Sequence, residues 1–189
     1  MPRVSQEQAK LNRQRVVETA AMLLRERGLH GVGVADIMKA AGLTHGGFYG
    51  QFENKDALAA EAFDWALQQN GYEGLQALVS MYLDARHVDA PGFGCPIAAL
   101  ANDVTREDAA SPIRQRFTQG LRGMADMVGR LLPDGSAERR RRQALASIST
   151  LVGAVTLARA VNDPALRDEL LEAARSAALP AILEVQTPQ

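Results

Sequence analysis

The chain has 189 residues, of which 47% are hydrophobic and 23% charged. That is a globular balance, too apolar for wholesale disorder, and the length suits one domain or two small ones. A single cysteine excludes an intrachain disulfide and a Cys-based zinc knuckle, and the net charge of -1 does not by itself mark a nucleic-acid binder.

Charge is distributed unevenly but weakly: residues 1–58 carry eight Lys/Arg against six Asp/Glu, and the remainder carries thirteen Arg against sixteen acids. No apolar run approaches the roughly 20 residues needed to span a bilayer. The first ten residues, MPRVSQEQAK, lack the apolar stretch of a secretory signal. These features predict a cytoplasmic protein with no membrane partner.

Helical patterning runs through almost the whole chain, and no strand is evident. A first helix is expected from about Ser5 to Arg27, with capping-box spacing at Ser5 and Gln8 and an apolar face of Val17, Ala20, Ala21 and Leu24. Gly28 supplies its stop. A short helix from Val34 to Ala41 closes at Gly42, and another is expected from Thr44 to about Phe52. The next begins near Asn54 as cap and runs past Trp65 to about Asn70. A further helix is expected over roughly Glu73 to Arg86, followed by turn composition in HVDAPGFG, residues 87–94. Cys95 to Thr105 reads as helix again. Ser111 and Pro112 start a helix to about Leu132, PDG at 133–135 makes a turn, and two long helices follow, Ser136–Val161 and Pro164–Val185. The fold class is therefore all-α, with about nine helices.

Residues 34–52, VADIMKAAGLTHGGFYGQF, have the layout of a helix-turn-helix. Ile37 and Leu43 are apolar where the two helices must pack, Ala40 and Ala41 permit a close crossing, and Gly42 suits a left-handed turn residue. The second short helix is weak for a purely structural element. Gly46, Gly47 and Gly50 each cost up to about 1 kcal/mol of helix propensity. That weakness is tolerable where backbone must approach another surface closely, such as a phosphate-lined groove. Phe48 and Phe52 read as inward anchors. Thr44, His45, Tyr49 and Gln51 can hydrogen-bond phosphates or base edges, and Lys55 adds a cation beside them.

The stretch GLHGVGVADIMKAAGLTHGGFYGQFENKDAL, residues 28–58, resembles the DNA-binding domain of the TetR/AcrR family of bacterial repressors, with Tyr49, Phe52, Lys55 and Leu58 in register. The resemblance covers about the first third of the chain. It departs from the family at Gly33, where a Ser or Thr is usual, and at Met38, where Ala is common. It implies an N-terminal helix-turn-helix domain of three helices over residues 1–58 and a helical ligand-binding and dimerisation domain over residues 59–189. It implies that Thr44, His45, Gly47, Tyr49, Gln51 and Lys55 face double-stranded operator DNA, with Tyr49 and Lys55 on phosphate and Thr44, His45 and Gly47 near base edges. A core aromatic is the other reading of Tyr49, and a solvated surface residue that of His45. Lys10, Arg13 and Arg15 either reach the flanking backbone or form a solvated face.

Beyond about residue 70 the resemblance is architectural. It implies a homodimer through the last two helices, with Leu145, Ile148, Leu151, Val152, Val155, Leu166, Leu170, Ala174, Ala178 and Ile182 as the candidate surface or, alternatively, the monomer's own core. The ligand pocket is expected among the middle helices, with Trp65, Tyr72, Met81, Tyr82, Phe93, Phe117, Met124 and Met127 as candidate lining; each can equally be ordinary core. Cys95, in GFGCPIAALANDV at 92–104, sits at an expected helix start, where amide groups and the helix dipole favour a thiolate. That segment resembles one in a subgroup whose members respond to electrophiles or oxidants, which makes Cys95 either a thiol sensor or a small buried hydrophobe. The run Arg139–Arg142 reads as a solvated helix end.

The function expected is a ligand-responsive transcriptional repressor, binding a near-palindromic operator and released by a small apolar or electrophilic inducer. A helical small-molecule-binding module without a regulatory role on DNA is the alternative. Three histidines, His30, His45 and His87, make no metal motif and offer Cys95 no oriented base. No catalytic residues, cofactor or metal are expected.

Overall fold

A computed structural model describes residues 6–69, 74–133 and 135–178. Among them are nine α-helices and no strand: α1 (Gln6–Arg27), α2 (Val34–Ala40), α3 (Lys55–Gln68), α4 (Leu75–Tyr82), α5 (Ala85–Asp89), α6 (Pro96–Val104), α7 (Pro112–Leu131), α8 (Ala137–Ala160) and α9 (Pro164–Ala178). Two single 3-10 turns, His45–Gly47 and Pro91–Phe93, join them. The chain separates into two compact units, residues 1–70 with 91–118, and residues 71–90 with 119–189.

In the first unit α1 is the hub, packing on α2, α3, α6 and the 91–93 turn. Its expected apolar face is buried: Val17, Ala20, Ala21 and Leu24, joined by Val16 and Leu23. The helix ends where Gly28 adopts φ +79 and its N–H donates to the Leu24 carbonyl at 2.9 Å. The expected Ser5 cap lies outside the described residues. Asn54 does cap α3, its side-chain oxygen accepting from the Ala57 N–H at 2.8 Å. Arg25, though charged, is buried on α1 and donates to the carbonyls of Ala21 at 2.8 Å and Gly94 at 2.6 Å. Removal from water lowers its pKa, while Cys95 and Glu26 nearby act the other way.

In the second unit α8 and α9 form a packed pair joined at Asn162 and Asp163, with α4 against both and α5 against α8. The helix expected over Glu73 to Arg86 is broken: Asp84 stops it by capping α5, its Oδ1 accepting from the Arg86 N–H at 2.8 Å. Residues 87–89, expected in a turn, consequently belong to α5. Arg159 of α8 closes the other end of α5, donating to the carbonyls of His87 at 2.6 Å and Val88 at 3.0 Å. Ser136, expected as the first residue of the helix, instead caps α8, its side-chain oxygen accepting from the Arg139 N–H at 3.2 Å.

By length and composition α8 is apolar enough to cross a membrane. Seven of its residues, Ala144, Ser147, Ile148, Leu151, Ala154, Val155 and Ala158, are instead buried within its own unit.

Candidate nucleic-acid interface

The segment after α1 is shaped by hydrogen bonds that the sequence dictates locally. Gly33 stands at the N-cap of α2 and has no side chain to offer, so Asp36 reaches back and its Oδ2 accepts from the Gly33 N–H at 3.1 Å. Ile37 and Met38 are fully buried beneath the helix. At its end Leu43 N–H bonds the Met38 carbonyl at 2.9 Å and Gly42 N–H bonds the Lys39 carbonyl at 3.0 Å. This is a Schellman ending, and it requires the left-handed φ of +72 found at Gly42.

The second helix of the motif is shorter than the spacing predicts. Only His45–Gly47 is helical, as one 3-10 turn, and bends and turns carry the chain on to Gln51. Three glycines in five residues explain the difference, since each withdraws helix propensity where few bonds are made. The turn is held at its ends instead. Gly47 and Phe48 N–H bond the Thr44 and His45 carbonyls at 3.0 and 3.1 Å, and Phe52 N–H bonds the Phe48 carbonyl at 3.0 Å.

Side chains pin the back of this segment. Phe48 and Phe52 are buried, with ring centroids 5.6 Å apart. Arg13 lies over the Phe52 ring at 4.6 Å and pairs with both carboxylate oxygens of Glu61, the second at 2.6 Å. The bond to Glu61 raises the pKa of Arg13. Arg13 is thereby paired within its unit, its side chain still 42% exposed. Lys55 donates to the Leu29 carbonyl at 2.6 Å.

The front is open. Thr44 and His45 are exposed, and Tyr49 is 68% exposed, packing edge-on to His45 and Phe48 at 5.8 and 5.3 Å. Tyr49 is therefore not a core aromatic. The other three expected contact residues sit deeper: Gly47, Gln51 and Lys55 are half-buried. The Gln51 side-chain amide folds onto its own turn, donating to the Gly47 carbonyl at 2.9 Å.

The expected pocket residues divide between the units. In the first, Trp65 and Phe117 are half-buried, Phe117 lies 5.6 Å from the Phe63 ring, and Phe93 is 76% exposed. In the second, Tyr82 and Met124 are buried, Met127 is half-buried, and Met81 is 59% exposed. Tyr72 lies outside the described residues. Cys95 is 6% exposed at the N-cap of α6. Among the expected dimer residues, Ile148, Leu151, Val155, Ala174 and Ala178 are buried within the second unit, Val152 and Leu170 are half-buried, and Leu145 and Leu166 are exposed. Ile182 lies outside the described residues. No group of His, Cys, Asp and Glu suited to a metal ion occurs among the described residues.

The sequence profile of the bacterial regulatory proteins, tetR family, matches residues 16–62, which hold the second half of α1, α2, the His45–Gly47 turn and the start of α3. An uncharacterized HTH-type transcriptional regulator of Mycobacterium tuberculosis is 31% identical over 166 residues, 80% of this chain and 86% of the relative. A TetR-family transcriptional regulator from Cytophaga hutchinsonii superposes with a TM-score of 0.74 at 22% identity, covering 100% of each chain. A TetR transcriptional regulator from Chloroflexus aurantiacus superposes with a TM-score of 0.71 at 27% identity, covering 96% of this chain and 98% of the other. Transcription regulators of this kind act by binding and catalyse no reaction.

Proposed function

Since this chain belongs to the TetR family of bacterial regulatory proteins, whose members bind DNA and typically act as dimers, we propose that it is a ligand-responsive cytoplasmic repressor. Residues 1–58 form its DNA-binding part, and residues 59–189 its ligand-binding and dimerisation part. The observation that carries the reading is the exposed row Thr44, His45 and Tyr49 on a segment whose reverse side is fixed by Phe48 and Phe52.

Thr44, His45 and Gly47 lead into the major groove and read base edges, while Tyr49 and Lys55 hold phosphates. An ammonium has three donors, so the Lys55 bond to Leu29 is compatible with a phosphate contact. Gln51, bonded to Gly47, meets the duplex only from the edge of this surface. A homodimer presents two such segments about 34–36 Å apart, one turn of the duplex, so the operator is a near-palindrome.

The dimer surface is the outer stripe of α8 and α9. Leu145, Leu157 and Leu166 are 39%, 53% and 43% exposed there, beside Ala173 and Ala177. An inducer, a small apolar or thiol-reactive compound, favours the conformer that does not bind DNA by about 1–3 kcal/mol. Cys95 is the residue that a thiol-reactive inducer would take.

Anisotropy titration of the DNA upstream of the gene, against scrambled duplex, tests the reading. Tyr49→Ala and Lys55→Ala should weaken binding to both duplexes, whereas Thr44→Ala or His45→Ala should change the ratio between them. Equal affinity of the wild-type chain for operator and scrambled DNA would overturn the repressor assignment.

A further inference from the structure

The four arginines at 139–142 lie at a solvated helix end, as expected, with Arg139, Arg141 and Arg142 exposed and Arg140 half-buried, but they do not share one face. Successive residues on a helix turn by about 100°, and the run is split accordingly. Arg139 and Arg142 line one cleft with Ser136, Glu138 and Gln143. Arg140 and Arg141 turn the other way and line a second cleft together with Arg130 of α7.

This second cleft, between the end of α7 and the start of α8, is broadly open to solvent and offers about 710 Å³, room for a small polar molecule. Ala125, Gly129 and Ala137 keep it open, and a Cβ built on Gly129 would meet nothing within 4 Å. Among the described residues that line it, three guanidinium groups stand with one carboxylate, Asp126. Asp126 pairs with Arg141 at 3.2 Å, but both side chains are more than half exposed, so water weakens the pair. Arg140 donates to the Gly135 carbonyl at 2.5 Å, which uses one of its five N–H donors. Among the described residues Arg130 has no ion-pair partner.

We propose that this cleft is a binding site for a small molecule carrying two oxyanionic groups, phosphate or carboxylate. Arg130 on α7 holds one group, and Arg140 and Arg141 on α8 hold the other. Guanidinium forks match both chemistries in bidentate fashion. The site uses none of the residues assigned to DNA or to the expected apolar pocket, and the inference does not depend on the repressor reading.

Isothermal titration of the full-length protein, without DNA and at constant ionic strength, tests it with two probes: inorganic pyrophosphate for the phosphate source and citrate for the carboxylate source. At least one should bind, and the one that binds names the source. Its affinity should fall about tenfold or more in an Arg130→Gln, Arg140→Gln double variant. Gly129→Leu, which fills the cleft and keeps every charge, should cause a similar loss. Arg86→Gln, on an exposed arginine outside the cleft, should change nothing. Absence of heat with both probes, or affinities unaltered by the double variant and by Gly129→Leu, would overturn the proposal and leave operator binding untouched.

Discussion

The backbone N–H of Leu29 donates to Oδ2 of Asp103 at 2.7 Å, a bond between residues 74 positions apart. It ties the turn after α1 to α6, and it explains why the turn is built on glycine. Gly28 has a φ of +79, and a Cβ there would overlap the same Asp103 oxygen. Asp103→Ala strands the Leu29 N–H and should cost about 1–3 kcal/mol of unfolding free energy. Gly28→Ala adds left-handed strain of about 1–2 kcal/mol and breaks the same bond, so it should be the worse of the two. Urea unfolding followed by circular dichroism measures both; an unchanged midpoint for Asp103→Ala would remove the bond's structural importance.

Gly46 and Gly50 separate two reasons for a glycine. A Cβ at either meets nothing within 4 Å, so folding does not demand them. Alanine at these positions should leave stability unchanged or raise it by up to about 1 kcal/mol, by reducing the freedom of the unfolded chain. Affinity for DNA should fall if the bare backbone is there to approach the duplex. A Gly46→Ala variant that binds operator as well as the parent chain would refute that role.

Cys95 is 6% exposed and neighbours the buried Arg25, whose guanidinium bonds the carbonyl of Gly94. Its reaction with a bulky thiol reagent should therefore be slow in the native protein and become fast in denaturant, because local opening must come first. A sensor role requires more. A reagent attached at Cys95 should displace the Gly94 segment from Arg25 and weaken operator binding. Full labelling with unaltered operator affinity would leave Cys95 as a core residue.

Asp64 gives stability a pH dependence with a definite sign. Burial raises its pKa, and Arg116 at 3.2 Å only partly offsets this. The folded chain thus holds this proton more tightly than the unfolded chain. Native stability from this group is lost as pH rises from the ordinary Asp value, about 3.9, through the raised one. Asp64→Asn cannot ionise, so the variant should gain on the parent across that window. Parallel midpoint-versus-pH curves for the two proteins would contradict the shift.

The outer stripe of α8 offers a direct test of assembly. Leu157 is 53% exposed, so Leu157→Glu should leave the secondary structure of a single chain intact. If the stripe joins two copies, the charge should drive the protein to monomer in sedimentation and abolish tight operator binding together. A variant that remains dimeric would move the interface elsewhere.

Local chemistry was legible in the sequence, and distant chemistry was not. Gly28, Gly42 and Asn54 could be read as stops and a cap because each acts within about five residues. Phe48 and Phe52 could be read as anchors from their spacing. The break at Asp84 is hidden because helix-forming residues lie on both sides of it, the apolar run ending at Leu83 and Ala85–Arg86 after, and its cap reaches only two residues on. The fates of Arg13, Arg25 and Asp103 were out of reach, since their partners Glu61, Gly94 and Leu29 lie 48 to 74 residues away. The His45–Gly47 turn was overestimated as a helix. Its glycines were noticed, but their combined effect on so short a segment was underweighted.

In the turn around His45–Gly47, the residues that hold the segment together and those that meet the outside are different residues. Phe48 and Phe52 keep it in place from below, and Thr44, His45 and Tyr49 project outward, with Tyr49 resting edge-on against His45 and Phe48. Selection can therefore rewrite the outer row one residue at a time without unsettling the fold. On the proposed DNA-binding role, a lineage built on this turn drifts to new target sites through single substitutions, each passing through a stable intermediate.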